Sequence, residues 1–228
     1  MWCIISTFSG LCKFYQKPVA KIAKRLGYSE SNILILEGKE LELQKKYPSV
    51  YQSLLTCSQN KDKRTYLEYA KDLVSAWTFE DYLVEKFRLL GEDLRLAGAD
   101  KERKILVNAK TSSSSDTVYV YDNYRLKVEI VNDYTGFWYK AKKIHLRNHK
   151  YEHLKQENSV LVGVDTVNKK YIIIDFSLPN LNIKKIEAHK PFGGKQASEI
   201  DLESISFKDF QAVNIAQDLK QIIKNRKG

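Results

Sequence analysis

The chain has 228 residues, 43% of them hydrophobic, and carries a formal net charge of +10. That length suits one large domain or a core with an appended subdomain, and that composition is ordinary for a globular protein. No stretch approaches the unbroken apolar length that a membrane span needs. The three cysteines, Cys3, Cys12 and Cys57, form no CxxC pair, so a disulfide framework and a zinc ribbon are set aside in favour of reduced thiols in a cytoplasmic protein with no membrane partner.

The opening "MWCIISTFSGLCKF" lacks a basic leader and is interrupted by polar residues, so it reads as folded structure rather than a signal peptide. The first 75 residues then read as helical. "KPVAKIAKRLGY" spaces Val19, Ile22, Ala23 and Leu26 at helical intervals, with Gly27 as the stop. "ELELQKKYPSVYQSLLTC" and "DKRTYLEYAKDLVSAW" continue in that style, with Pro48 forcing a break. In "WTFEDYLVEKFRLLGEDL", Phe79, Leu83, Phe87 and Leu90 form an apolar stripe that Thr78 can cap and Gly91 can end.

Beyond residue 103 the period changes to that of strands: "RKILVNA", "DTVYVY", "RLKVEIV" and then "FWYKAKKIHL", with "DNY" as the turn between the second and third. "RNHKYEHLKQE" predicts a helix, and "SVLVGVD" and "KYIIIDF" two buried strands. The region around "HKPFGGKQASEID" reads as loop, and "FQAVNIAQDLKQIIKNRKG" as a basic helix. This order predicts an α/β protein with a mixed central sheet flanked by helices. It divides into a helical region (1–75), a core (76–178) and a C-terminal loop and helix packed on that core (179–228).

The surplus of positive charge favours a polyanionic partner, because each phosphate neutralised releases counterions; the alternative is a solvated lysine face. Against this basic background, Asp116 and Glu129 fall on neighbouring strands. Two carboxylates placed so can converge on a hard divalent cation such as Mg²⁺. That cation stabilises the charge that develops in an in-line displacement at phosphorus, and a nearby lysine completes the set.

A helix with an acid ("FEDYLVEKF", Glu80), a strand opening on Asp116 after "SSS", a strand with Glu129 in "EIV", then a helix and a strand resemble the PD-(D/E)XK nuclease superfamily, and within it the type II restriction endonucleases. The resemblance covers roughly residues 77 to 176. It implies a restriction-endonuclease-like core, Mg²⁺ held by Asp116 and Glu129, and Glu80 as the helix acid. The motif's lysine position is Val131, so the lysine comes from elsewhere. Strand parity puts Lys127 on the Glu129 face, a hairpin after "DYTG" adds Lys140 and Lys142, a bulge would substitute Lys143, and Lys150 at the helix start is a further choice. Lys140 is preferred, because both simple registers bring it near Glu129.

Each acid also has a plain alternative: Asp116 as a loop end, Glu129 and Glu80 as solvated surface residues. His145, His149 and His153 recur at helical spacing, but a predicted strand end interrupts them, and surface histidines are the expectation. "PFGGKQAS" lacks the P-loop pattern and reads as a turn or a basic loop near phosphate. The reading is a Mg²⁺-dependent, sequence-specific endonuclease that cuts double-stranded DNA as a homodimer. Lys110, Ser113, Ser114, Ser115, Lys142 and Lys143 are its candidate DNA contacts. The rivals are a non-catalytic DNA-binding protein on a degenerate nuclease fold and an RNA-processing nuclease.

Overall fold

The computed structural model describes residues 12–57, 64–103 and 115–228. Four helices come first: α1 (Cys12–Arg25), α2 (Glu30–Glu37), α3 (Glu40–Lys46) and α4 (Pro48–Cys57). They pack on the first half of the long helix α5 (Tyr66–Leu89) around Ile33, Ile35, Leu43, Leu54, Val74 and Trp77. The N-cap of α5 is Thr65, thirteen residues ahead of the expected cap at Thr78. Thr65 and Glu68 form a reciprocal capping box there, which satisfies two of the helix's open N–H groups. Thr78 is instead a buried mid-helix residue whose hydroxyl donates to the Val74 carbonyl, 2.7 Å away. The proposed division at 75/76 therefore falls inside one continuous helix. Gly91, at φ +73°, follows the helix end as expected.

Six strands form the main sheet, in the order β1-β2-β3-β5-β6-β9. They are β1 (Asp93–Leu96), β2 (Thr117–Tyr121), β3 (Tyr124–Asp133), β5 (Val160–Asp165), β6 (Lys170–Asp175) and β9 (Lys208–Asp209). The β2–β3 hairpin turns at Asp122 and Asn123, both with positive φ, as a tight two-residue turn requires. All pairings are antiparallel except β3 with β5, so the sheet is mixed, as the element order suggested.

Between β3 and β5 the chain forms α6 (Phe137–Ala141), β4 (Lys143–Arg147) and α7 (Asn148–Gln156). The expected single strand over "FWYKAKKIHL" is thus a short helix followed by a strand. The expected loop region after residue 179 is also structured. It contains β7 (Ile183–His189) and β8 (Lys195–Asp201), which build a second sheet in the order β4-β8-β7. Helix α8 (Ala212–Lys227) closes the chain. The predicted strand "RKILVNA" lies, past Arg103, outside the described residues, and so does most of the opening apolar stretch.

The main sheet has a core on each face. Leu83 and Phe87 of α5 and Ile215, Leu219 and Ile223 of α8 cover Leu126, Val128, Ile130, Val160, Val162 and Val164. The opposite face packs Leu161, Ile172 and Ile174 against Trp138, Leu154 and the second sheet's Ile144 and Ile200. Every residue of β5 is buried, which is why its sequence is an unbroken apolar run. Gly163 lies under Trp138: a Cβ there would stand 3.1 Å from the indole, so the close approach of α6 to the sheet requires glycine. Among the described residues no helix is long and apolar enough to cross a membrane.

Candidate functional site

Strand parity builds the first part of the site. Leu126, Val128 and Ile130 point into one core, which sends Glu129 to the opposite face. The register pairs Thr117 with Val128. Continued by one residue, it sets Asp116 across from Glu129. Asp116 is tied down on its other side, because its carbonyl accepts from the Ala97 N–H at 2.7 Å. Both acids are buried, Glu129 at 1% exposure and Asp116 at 7%. Glu80 of α5 is also 1% exposed, so the solvated-surface alternative fails for Glu129 and Glu80, while Asp116 stands immediately before β2, as in its loop-end alternative.

The positive partners come from elsewhere. Lys150, in the first turn of α7, is buried, and its Nζ donates to Glu129 Oε2 at 2.8 Å. Arg103 places Nη1 2.9 Å from Glu80 Oε2. The contact is an ion pair without hydrogen-bond alignment, and neither oxygen of Glu80 has a hydrogen-bond partner. Asp116 Oδ2 is likewise buried and unpartnered.

These acids repel one another in a dry setting. Burial first, and then the charge of Asp116, push the Glu129 carboxyl up to about 8, against the pull of Lys150. Glu80 is driven well above the usual carboxylate range by burial, then by Asp116, with Glu129 adding to the effect and Arg103 opposing it. The Lys150 ammonium is disfavoured by burial, but Glu129 and Asp116 outweigh that and hold it above its ordinary value. Lys150 is therefore a charged donor at neutral pH and not a base.

Of the lysines considered for the missing position, the structure brings Lys150 to Glu129. Lys140 does not reach it. The neighbours of β3 are β2 and β5, so the expected hairpin after "DYTG" does not form, and Lys140 sits exposed on α6. Lys127 shares the Glu129 face but is exposed and ion-pairs with Glu157. Lys142 lies over the rings of Tyr139 and Phe207, 4.3 and 4.5 Å from their centroids, and Lys143 pairs with Glu199 at 3.0 Å. Ser115 is buried, and its hydroxyl meets those of Ser159 at 2.9 Å and a Glu157 oxygen at 3.3 Å, so it faces inward rather than toward a ligand. Lys110, Ser113 and Ser114 lie outside the described residues.

Arg103 is the residue that sequence reading missed. A lone arginine after a helical turn carries no periodic signal, and its pairing depends on a contact with α5. The histidines separate as expected: His145 is on β4, bonded to Glu199 at 2.8 Å, while His149 and His153 are on α7.

No three His, Cys, Asp or Glu side chains among the described residues converge closely enough to hold a metal by themselves. The donor set nonetheless suits a hard cation that keeps most of its water: two facing carboxylates, one with a buried unpartnered oxygen. No known protein family matches the chain, and no curated protein matches it.

Proposed function

We propose that the protein is a Mg²⁺-dependent endonuclease acting on double-stranded DNA, similar in its site to type II restriction enzymes. The observation that carries this reading is the joining of three buried carboxylates with a buried ammonium, Glu80, Asp116 and Glu129 with Lys150, in a protein of net charge +10. Buried acids that crowd one another without full hydrogen bonding are costly to fold, and such arrangements concentrate at sites where charge is used.

Asp116 and Glu129 would hold the cation, which when bound supplies Lewis-acid stabilisation of the charge developing on the phosphate. Lys150 stays charged and donates hydrogen bonds, so it would orient the attacking water and stabilise the pentacovalent phosphorus from the α7 side. It thereby fills the role that Val131 cannot. The burial of Glu129 couples cation uptake to proton release, because its carboxyl must ionise to act as a ligand. The basic surplus would hold the DNA backbone, and two copies on a palindrome would cut one strand each.

The test is incubation with mixed plasmid and phage DNA in Mg²⁺, repeated with EDTA and with Asp116→Asn. Discrete fragments in Mg²⁺ alone support the reading. A gel shift without cleavage in any divalent cation, or cleavage confined to RNA, overturns it.

A further inference from the structure

Arg103 occupies an unusual position. Its side chain is 12% exposed, and it grips two consecutive acids of α5. Nη2 reaches Asp81 Oδ1 at 2.7 Å and Nε reaches the same oxygen at 3.1 Å, while Nη1 lies 2.9 Å from Glu80 Oε2. The guanidinium carbon stands 6.0 Å from the ring centre of Trp77, one turn back on the same helix. Asp81 is held from the other side by the Tyr28 hydroxyl. The backbone of Arg103 has φ +54°, a conformation that costs a non-glycine residue energy, so the surrounding contacts hold it there.

Glu80 thus meets a fixed cation on one oxygen while it faces the field of Asp116 and Glu129. In a site built of crowded acids, a guanidinium at this place does what a divalent ion would do: it offsets the charge of Glu80 and occupies the space beside it. A planar fork held by Asp81, which Tyr28 in turn fixes, cannot leave with product or exchange with solvent.

We infer that Arg103 stands in for a second divalent cation, so that the site takes one such ion per chain, on Asp116 and Glu129, with Glu80 held as the arginine's partner and not as a ligand. This rests on the nuclease reading of the same site. Arg103 is then a positioning residue that acts through Glu80.

Calorimetric titration of the DNA-free protein with Mn²⁺ at pH 8 tests it. Wild type should bind one ion per chain. Arg103→Met should bind two, because it removes a fixed positive charge and frees Glu80, and the first ion should bind roughly tenfold tighter. Arg103→Lys should restore one ion per chain. Two ions in wild type, or only one in Arg103→Met, would overturn the inference and leave the nuclease reading standing. No binding in wild type would remove that reading and the inference with it. Should Arg103→Met fail to fold, the near-isosteric Glu80→Gln decides by stoichiometry: one ion per chain, weakened by no more than the roughly tenfold Coulomb effect of a lost neighbouring charge, is the expected result, whereas loss of binding altogether makes Glu80 a ligand and ends the proposal.

Discussion

Strand β3 carries two buried carboxylates, Glu129 and Asp133, four residues apart on one face, and their surroundings differ completely. Asp133 Oδ1 accepts from the Thr135 N–H at 2.8 Å and from its hydroxyl at 2.6 Å, and Oδ2 accepts from the Trp138 N–H at 2.8 Å. Its neighbour across the parallel pair, Asp165, is equally well served by the Val167 and Asn168 N–H groups and the Asn168 amide. These two acids begin tight turns, and backbone donors compensate their charge. Glu129 faces another acid and one lysine, Asp116 keeps an oxygen without a hydrogen bond, and Glu80 is met by the Arg103 ion pair alone. Burial alone therefore does not separate the acids of the proposed site from those that serve turns on this sheet. What distinguishes them is whether the fold itself supplies the donors.

The strongest way to break that contrast is to neutralise each kind of acid. Asp116→Asn and Glu129→Gln should each lower DNA cleavage by roughly a thousandfold, the scale for losing a principal charge-stabilising group; Asp116→Asn should leave the melting temperature level or raise it, whereas Glu129→Gln, which strands the buried Lys150 ammonium, should lower it. Near-normal cleavage by either variant, measured on plasmid substrate, would remove that residue from the site.

The lysines separate next. Lys150→Ala should cost cleavage on the order of a hundredfold, whereas Lys140→Ala, on an exposed stretch of α6, should leave it close to wild type. A reversed outcome in the same assay would restore the hairpin expectation over the observed α7 placement.

Asp133→Ala should act the other way round from the site acids. It strands the buried Trp138 N–H and releases the turn at Thr135, at a cost of about 2–4 kcal/mol in denaturant melts. Cleavage by the folded fraction at low temperature should persist.

Smallest for each step of the variable is the slope of stability with pH. The Glu129 carboxyl is raised in the folded protein from 4.5 to about 8, so the unfolded chain loses its proton first. This contribution to stability is fully present below pH 4.5 and is lost as pH rises toward 8, by at most about 1.4 kcal/mol per pH unit. Glu129→Gln should flatten the slope, and saturating Mg²⁺ should reduce it; unchanged slopes in chemical denaturation would show that Glu129 is ionised throughout.

Much of this arrangement follows from local pattern. The period-two alternation of β2 and β3 and the Asp122-Asn123 turn are enough to put Asp116 and Glu129 on one face of a hairpin, because pleat parity and turn length dictate register. The buried run of β5 and the amphipathic α7 and α8 were equally readable, since each buries a face that its own spacing declares. Long-range packing settled the rest. The α6–β4–α7 crossover makes β3 and β5 parallel neighbours, which denies Lys140 a partner strand and carries Lys150 back over Glu129. The pairing of Arg103 with Glu80 joins a turn to a helix two elements earlier. Local periodicity carries no information about which distant side chains meet, because those meetings are set by how helices dock on the sheet and by the cost of leaving a buried charge alone.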